Sequence, residues 1–230
     1  MTEKTIESVD EFHRAVRQNW SGHPIYRGEP ASDYNLRPAL GRWQVINPWN
    51  NSEREKNMLE EFRKRAAPYV TVAPSNNWEW LALAQHHGLP TRLLDWTYNP
   101  LVAAFFATRN RLGGDAAIYI LQFWDVAHAD ESVDPFSLQT DVIYRPPHTS
   151  RRFTAQHGLF TVHAKPSTPL THASLEKWLL KKSCLIELYY TLERYGVSPA
   201  YVFPDLDGLC IELGQEWVVK TPPRPPTEEK

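Results

Sequence analysis

Cysteine is scarce. The chain holds two, Cys184 and Cys210, at neither a zinc-ligand nor a disulfide spacing. Both sit among apolar residues and read as reduced, buried thiols without the charged neighbours that activate a nucleophile. An excess of basic residues is lacking too: 25 Lys and Arg face 27 Asp and Glu, for a formal charge of -2. No global positive field then draws in nucleic acid, and Arg145, Arg151 and Arg152 with nearby aromatics form only a disfavoured nucleic-acid patch. Apolar runs stay short of the roughly 20 residues that a membrane span needs. The opening residues, with Glu3, Glu7 and Asp10, lack the basic start and apolar core of a secretion signal, so the expectation is a cytoplasmic protein with no membrane partner. The patterns G-x-x-x-x-G-K-[ST], G-x-G-x-x-G and G-x-S-x-G are absent, which removes the common phosphate-loop, dinucleotide and hydrolase signatures. No H-x-x-x-H spacing exists either; the adjacent His86 and His87 would point about 100° apart on a helix, and with Asp95 they make no metal site. No metal is expected.

What the sequence has is aromatic and apolar mass. With 230 residues, 42% of them hydrophobic, nine Trp, ten Tyr and nine Phe, the chain can bury a large core or line a cleft with rings. The pattern predicts one α/β (α+β) domain over 1–220, a small mixed sheet with surrounding helices, and a disordered proline-rich tail over 221–230. Ser8 to Glu11 reads as a capping box before an amphipathic helix, and Ser52 to Glu55 as a second. Asn76 with Glu79 caps a helix stopped by Gly88, and Asn99-Pro100 opens an almost wholly apolar one. Strands are expected at Ile25-Tyr26, Ala116 to Phe123, Val142 to Tyr144, Leu159 to Val162 and Trp178 to Leu180. The stretch from Pro30 to Asn51 reads as an ordered loop that buries Leu36, Leu40, Trp43 and Trp49. A last long helix follows Ser183, and Ser198-Pro199 and Asp205 open two short helical turns; Asp205 to Gly208 caps a helix rather than forming half a calcium loop.

Three clusters are polar where apolar residues would serve. Tyr26-Arg27-Gly28-Glu29 puts a guanidinium at a strand end, beside a glycine that lets a ligand approach. Arg27 either binds phosphate or carboxylate or pairs with a buried acid. The run from Gln85 to Thr97 links two helices; its Asp95 precedes the apolar helix, either as a cap for that helix's dipole or as a catalytic carboxylate. Ala155 to Phe160 carries Gln156, which cannot transfer a proton as a carboxylate would and so could only orient something.

These motifs, Tyr26-Arg27-Gly28, His86 to Thr97, Ala155 to Thr161 and Phe203 to Leu209, resemble the FRG domain family, named for its aromatic-Arg-Gly motif. Their layout also looks like that of ADP-ribosyltransferase-type NAD-binding domains. That second resemblance implies an enzyme using NAD, as a toxin or defence effector, on a nucleotide-type small molecule and a macromolecular target. Arg27 would hold a phosphate or ribose, with Tyr26, Gly28, His87, Thr91, Thr97 and Phe160 around the ligand. Tyr26, Trp96 or Phe160 would stack on the base. Gln156 stands at the late position where those enzymes generally place a glutamate, so Asp95 or Glu29 would have to supply the carboxylate. The rival reading is a non-catalytic module that binds a nucleotide or phosphate ligand.

Overall fold

The computed structural model describes residues 1–19, 23–46, 52–147 and 154–219. A mixed sheet of seven strands forms the centre: β1 (Thr2–Ile6), β2 (Pro24–Glu29), β3 (Leu93–Thr97), β4 (Ala116–Gln122), β5 (Val142–Tyr144), β6 (Gly158–Val162) and β7 (Glu176–Leu180), in the order β1-β7-β4-β2-β3-β6-β5. Only β1 and β7 run parallel; every other neighbouring pair is antiparallel. The helices are α1 (Val9–Gln18), α2 (Ala39–Ile46), α3 (Ser52–Ala66), α4 (Asn77–His86), α5 (Pro100–Ala107), α6 (Lys182–Arg194), α7 (Pro199–Val202) and α8 (Leu206–Gly214). No helix among the described residues is long and apolar enough to cross a membrane.

Most boundaries follow from local chemistry. Ser8 accepts from the Glu11 amide at 3.2 Å, and the Glu11 carboxylate accepts from the Glu7 amide at 2.7 Å, one residue ahead of the cap that a capping box would engage. Asn76, Asn99 and Asp205 cap α4, α5 and α8 through their side chains. Gly88 ends the α4 turn at φ 85°, where a Cβ would be strained.

Several expectations are corrected. The stretch read as a loop contains α2; Leu36 and Leu40 are buried as anticipated, but Trp43 is exposed, and Trp49 lies outside the described residues. Two strands escaped the pattern. β1 is polar because it is an edge strand that buries only Ile6, and β3 is too short to show a period beside a helix start. Cys184 is buried, whereas Cys210 is exposed on α8. Glu55 does not cap α3: its carboxylate is fully buried against Arg92, which reaches it from Nε at 2.9 Å and Nη2 at 2.7 Å, while the Arg92 amide donates at 3.0 Å. The tail over 221–230, with Arg151 and Arg152, lies outside the described residues.

The sheet buries both faces. On one face α1, α5 and α6 cover β7, β4 and β2 through Phe12, Ala103, Leu185 and Leu188, against Tyr26, Ile118 and Trp178. A second helical layer, α3 and α4, sets Leu59, Trp78 and Leu81 against Leu93, Tyr144, Phe160 and Val162 on β3, β5 and β6. Because Tyr26 and Thr97 are directly paired, their side chains share a face, so the two helical layers stand side by side. Leu36, Phe123, Leu170 and Leu175 close the opposite face.

Below the α3–α4 layer, His163 is completely buried beside Thr161, with Asp141 4.0 Å from its Nδ1. Burial pulls its pKa from the ordinary 6.5 down to about 4, against the pull of Asp141 in the other direction. The unfolded chain then binds a proton that the native state refuses, so stability falls as pH drops from about 6.5 to about 4 and levels off below. The loss is on the order of 3 kcal/mol. Urea denaturation at stepped pH checks this: His163→Gln should flatten the slope in that window, and parallel curves for variant and wild type would refute it.

Candidate functional site

Strand β2 pairs with β4 along its whole length but meets β3 at one position, Tyr26↔Thr97. Beyond that rung the two central strands share no further pair, and a cavity of about 580 Å³ lies there, between the ends of α4 and α5. Its walls come from the three predicted clusters together. Tyr26, Arg27, Gly28 and Glu29 stand on one side, Asp95 and Thr97 on the other, with Gln156 and Phe160 at one end. The sheet order explains the convergence: β3 lies between β2 and β6, so motifs from all three strands abut.

Arg27 bridges the split. Its Nε and Nη2 each lie 2.7 Å from Glu29 Oε1, and Nη1 donates to the Asp95 carbonyl at 2.8 Å. Both readings of this arginine therefore meet in one residue: it is paired with a buried acid, and it faces the cavity with two of its five N–H donors left over among the described residues. Glu29 is 5% exposed. Asp95 differs. It does not cap α5, a role Asn99 fills, but sits on β3 with its side chain 59% exposed, 3.8 Å from Arg27 Nη1 and accepting from Gln85 Nε2 at 2.8 Å.

Gln156 is fixed at both ends. Its amide donates to the Val202 carbonyl at 3.1 Å, and its own carbonyl accepts from Thr97 Oγ1 at 2.6 Å. Thr97 thus lines the cavity with its hydroxyl committed to the backbone. Gly28 is at the cavity edge, yet the space of its missing side chain belongs to α5: a Cβ would lie 1.8 Å from the Ala103 carbonyl oxygen. Close helix packing, rather than ligand approach, demands this glycine.

Two predicted residues stand apart from the cavity. His87 is the exposed C-cap of α4. Thr91 is wholly buried, donating to Gln85 Oε1 at 2.7 Å and accepting from the Leu93 amide at 3.1 Å. The rings expected to stack on a base, Tyr26, Trp96 and Phe160, are each 3% exposed. Tyr26 packs on Trp178, and its hydroxyl is pushed up to about 12 by burial and then by Glu176, so it stays protonated. Trp96 donates to Thr161. The half-buried ring in the wall is Phe106, which the sequence reading missed together with Arg109 and Asn110; Gln85 and His86, within the second cluster but given no role at the ligand, line the cavity as well. Gln85 alone had a legible signal, a polar side chain on the apolar stripe of α4.

The molecule is thus an α/β domain with a cleft at a split between its two central strands. Residues 22–116 match the family model described as FRG domain. No curated protein and no solved structure matches the chain.

Proposed function

We propose that the cleft binds a nucleotide-type ligand and that the protein is an ADP-ribosyltransferase-like enzyme using NAD, acting in the cytoplasm as a toxin or defence effector. The observation that carries the reading is the meeting of Arg27, Asp95 and Gln156 in one cavity of about 580 Å³, a volume suited to a small organic ligand. Arg27, already immobilised by Glu29, offers its remaining donors to a phosphate or ribose oxygen. Asp95 supplies the carboxylate that Gln156 cannot, opposing the positive charge that grows on the ribose as the bond from its anomeric carbon to nicotinamide breaks. The bonding pair leaves with nicotinamide; water or a nucleophile on a target protein then bonds to that carbon and releases a proton.

Purified protein should consume NAD and release nicotinamide. Asp95→Asn should lower kcat about a hundredfold while leaving the thermal midpoint in place, because the removed charge is largely exposed. Arg27→Lys should chiefly raise KM, since the ammonium keeps the charge but loses the fork. Absence of turnover with NAD and its relatives would sink the enzymatic reading. One feature favours a second reading, a binding module without chemistry: the Gln156 amide is already committed to Val202. That reading expects ligand-dependent thermal stabilisation with no product.

A further inference from the structure

The Asp95 carboxylate is exposed, on β3 where it parts from β2, yet it is not left to find its own orientation. Behind it runs a chain of side-chain hydrogen bonds: Thr91 Oγ1 to Gln85 Oε1 at 2.7 Å, then Gln85 Nε2 to Asp95 Oδ2 at 2.8 Å. Its direction is determined from the buried end. Thr91 is 0% exposed and its oxygen accepts from the Leu93 amide; with no solvent to receive its proton, the hydroxyl donates to Gln85 Oε1. The Gln85 oxygen must then face Thr91 and its NH2 must face the cleft. An acceptor is demanded at Asp95 Oδ2, and the carboxylate answers it.

We infer that Gln85, oriented by the buried Thr91, is the positioning residue of the cleft, holding Asp95 as an acceptor so that the ligand group meeting it is a hydrogen-bond donor such as a ribose hydroxyl. The inference rests on the proposed function for the identity of that hydroxyl, and on geometry alone for the relay. Phosphate is sent to Arg27, whose spare N–H groups donate; the donor-bearing part of the ligand is sent to Asp95, 3.8 Å away. The two ends of a nucleotide are sorted by hydrogen-bond polarity. Neither Gln85 nor Thr91 takes part in bond making.

Two measurements test this, one of which needs no ligand. Side-chain amide NMR should show the Gln85 NH2 protons exchanging with solvent more slowly than those of the exposed Gln18. Asp95→Ala, which removes the acceptor, and Thr91→Val should each abolish that protection in a folded protein, and Thr91→Ser should restore it. A Gln85 amide that exchanges like Gln18, or one indifferent to Thr91→Val, would overturn the relay whatever the protein's activity. With NAD as substrate, Gln85→Leu should lower kcat about tenfold or more with KM nearly unchanged, and Gln85→Leu combined with Asp95→Asn should be no slower than Asp95→Asn alone. Additive losses would overturn the positioning role. If wild-type protein does not consume NAD, the enzymatic reading fails while the exchange measurement still decides the relay.

Discussion

Arg92→Ala is expected to destabilise the domain by about 3–5 kcal/mol, the usual consequence of stranding one partner of a buried ion pair. Arg92 and Glu55 are both 0% exposed at the side chain, and Arg92 also donates to the Pro135 carbonyl at 2.8 Å while lying over the Phe136 ring. The arginine is therefore the joint at which α3, the start of β3 and the segment before β5 are pinned together. Removing it leaves a carboxyl that burial already pushes up, against the opposing charge and hydrogen bonds of Arg92. Glu55→Ala should be as damaging, because it leaves a guanidinium that cannot be deprotonated. The pair as such adds little. Joint replacement by Arg92→Met and Glu55→Leu should recover much of the loss, short of the bond between Glu55 and the Arg92 amide. Thermal unfolding reads this as a drop of about 10 °C or more for either single variant and a smaller one for the double. Equal drops for all three would show that the pair itself stabilises the fold.

Gly28→Ala should destabilise by about 3 kcal/mol or more, although alanine is ordinarily as good in a strand as glycine. Gly28 is not among the residues with positive φ, so its backbone makes no demand for glycine. The demand comes from α5: a Cβ would lie 1.8 Å from the Ala103 oxygen and 2.8 Å from the Ala107 nitrogen, both backbone atoms that cannot rotate aside. Either β2 bends toward the cleft or α5 lifts off the sheet. Since Val102, Phe106 and Arg27 line the same cavity, the variant should lose ligand binding along with stability. Denaturant unfolding and a ligand-dependent thermal shift, measured on one sample, check both effects. An unchanged midpoint would overturn the close approach of α5 to β2.

Much of the local architecture is legible in the sequence. Caps at Ser8, Asn76, Asn99 and Asp205 and the breaker Gly88 announce themselves because capping is settled within four residues of chain. The wholly apolar α5 and the central β4 were equally plain. β1 and β3 were not: an edge strand needs few apolar residues, and a five-residue strand holds too few alternations to register.

For the candidate site, the sequence by itself determined which motifs stand out: Arg27, Asp95 and Gln156 were distinguishable as polar residues in apolar surroundings, and the FRG resemblance with them. Only the tertiary structure decided what each one does. Strand order put three distant segments around one cleft; it also turned Thr91 and Arg92 inward as struts, gave Gly28 to helix packing, and left Asp95 facing solvent. Motif membership is written in residue type and spacing, whereas burial, partner and direction arise when strands from different parts of the chain are brought side by side, and no local pattern encodes that pairing.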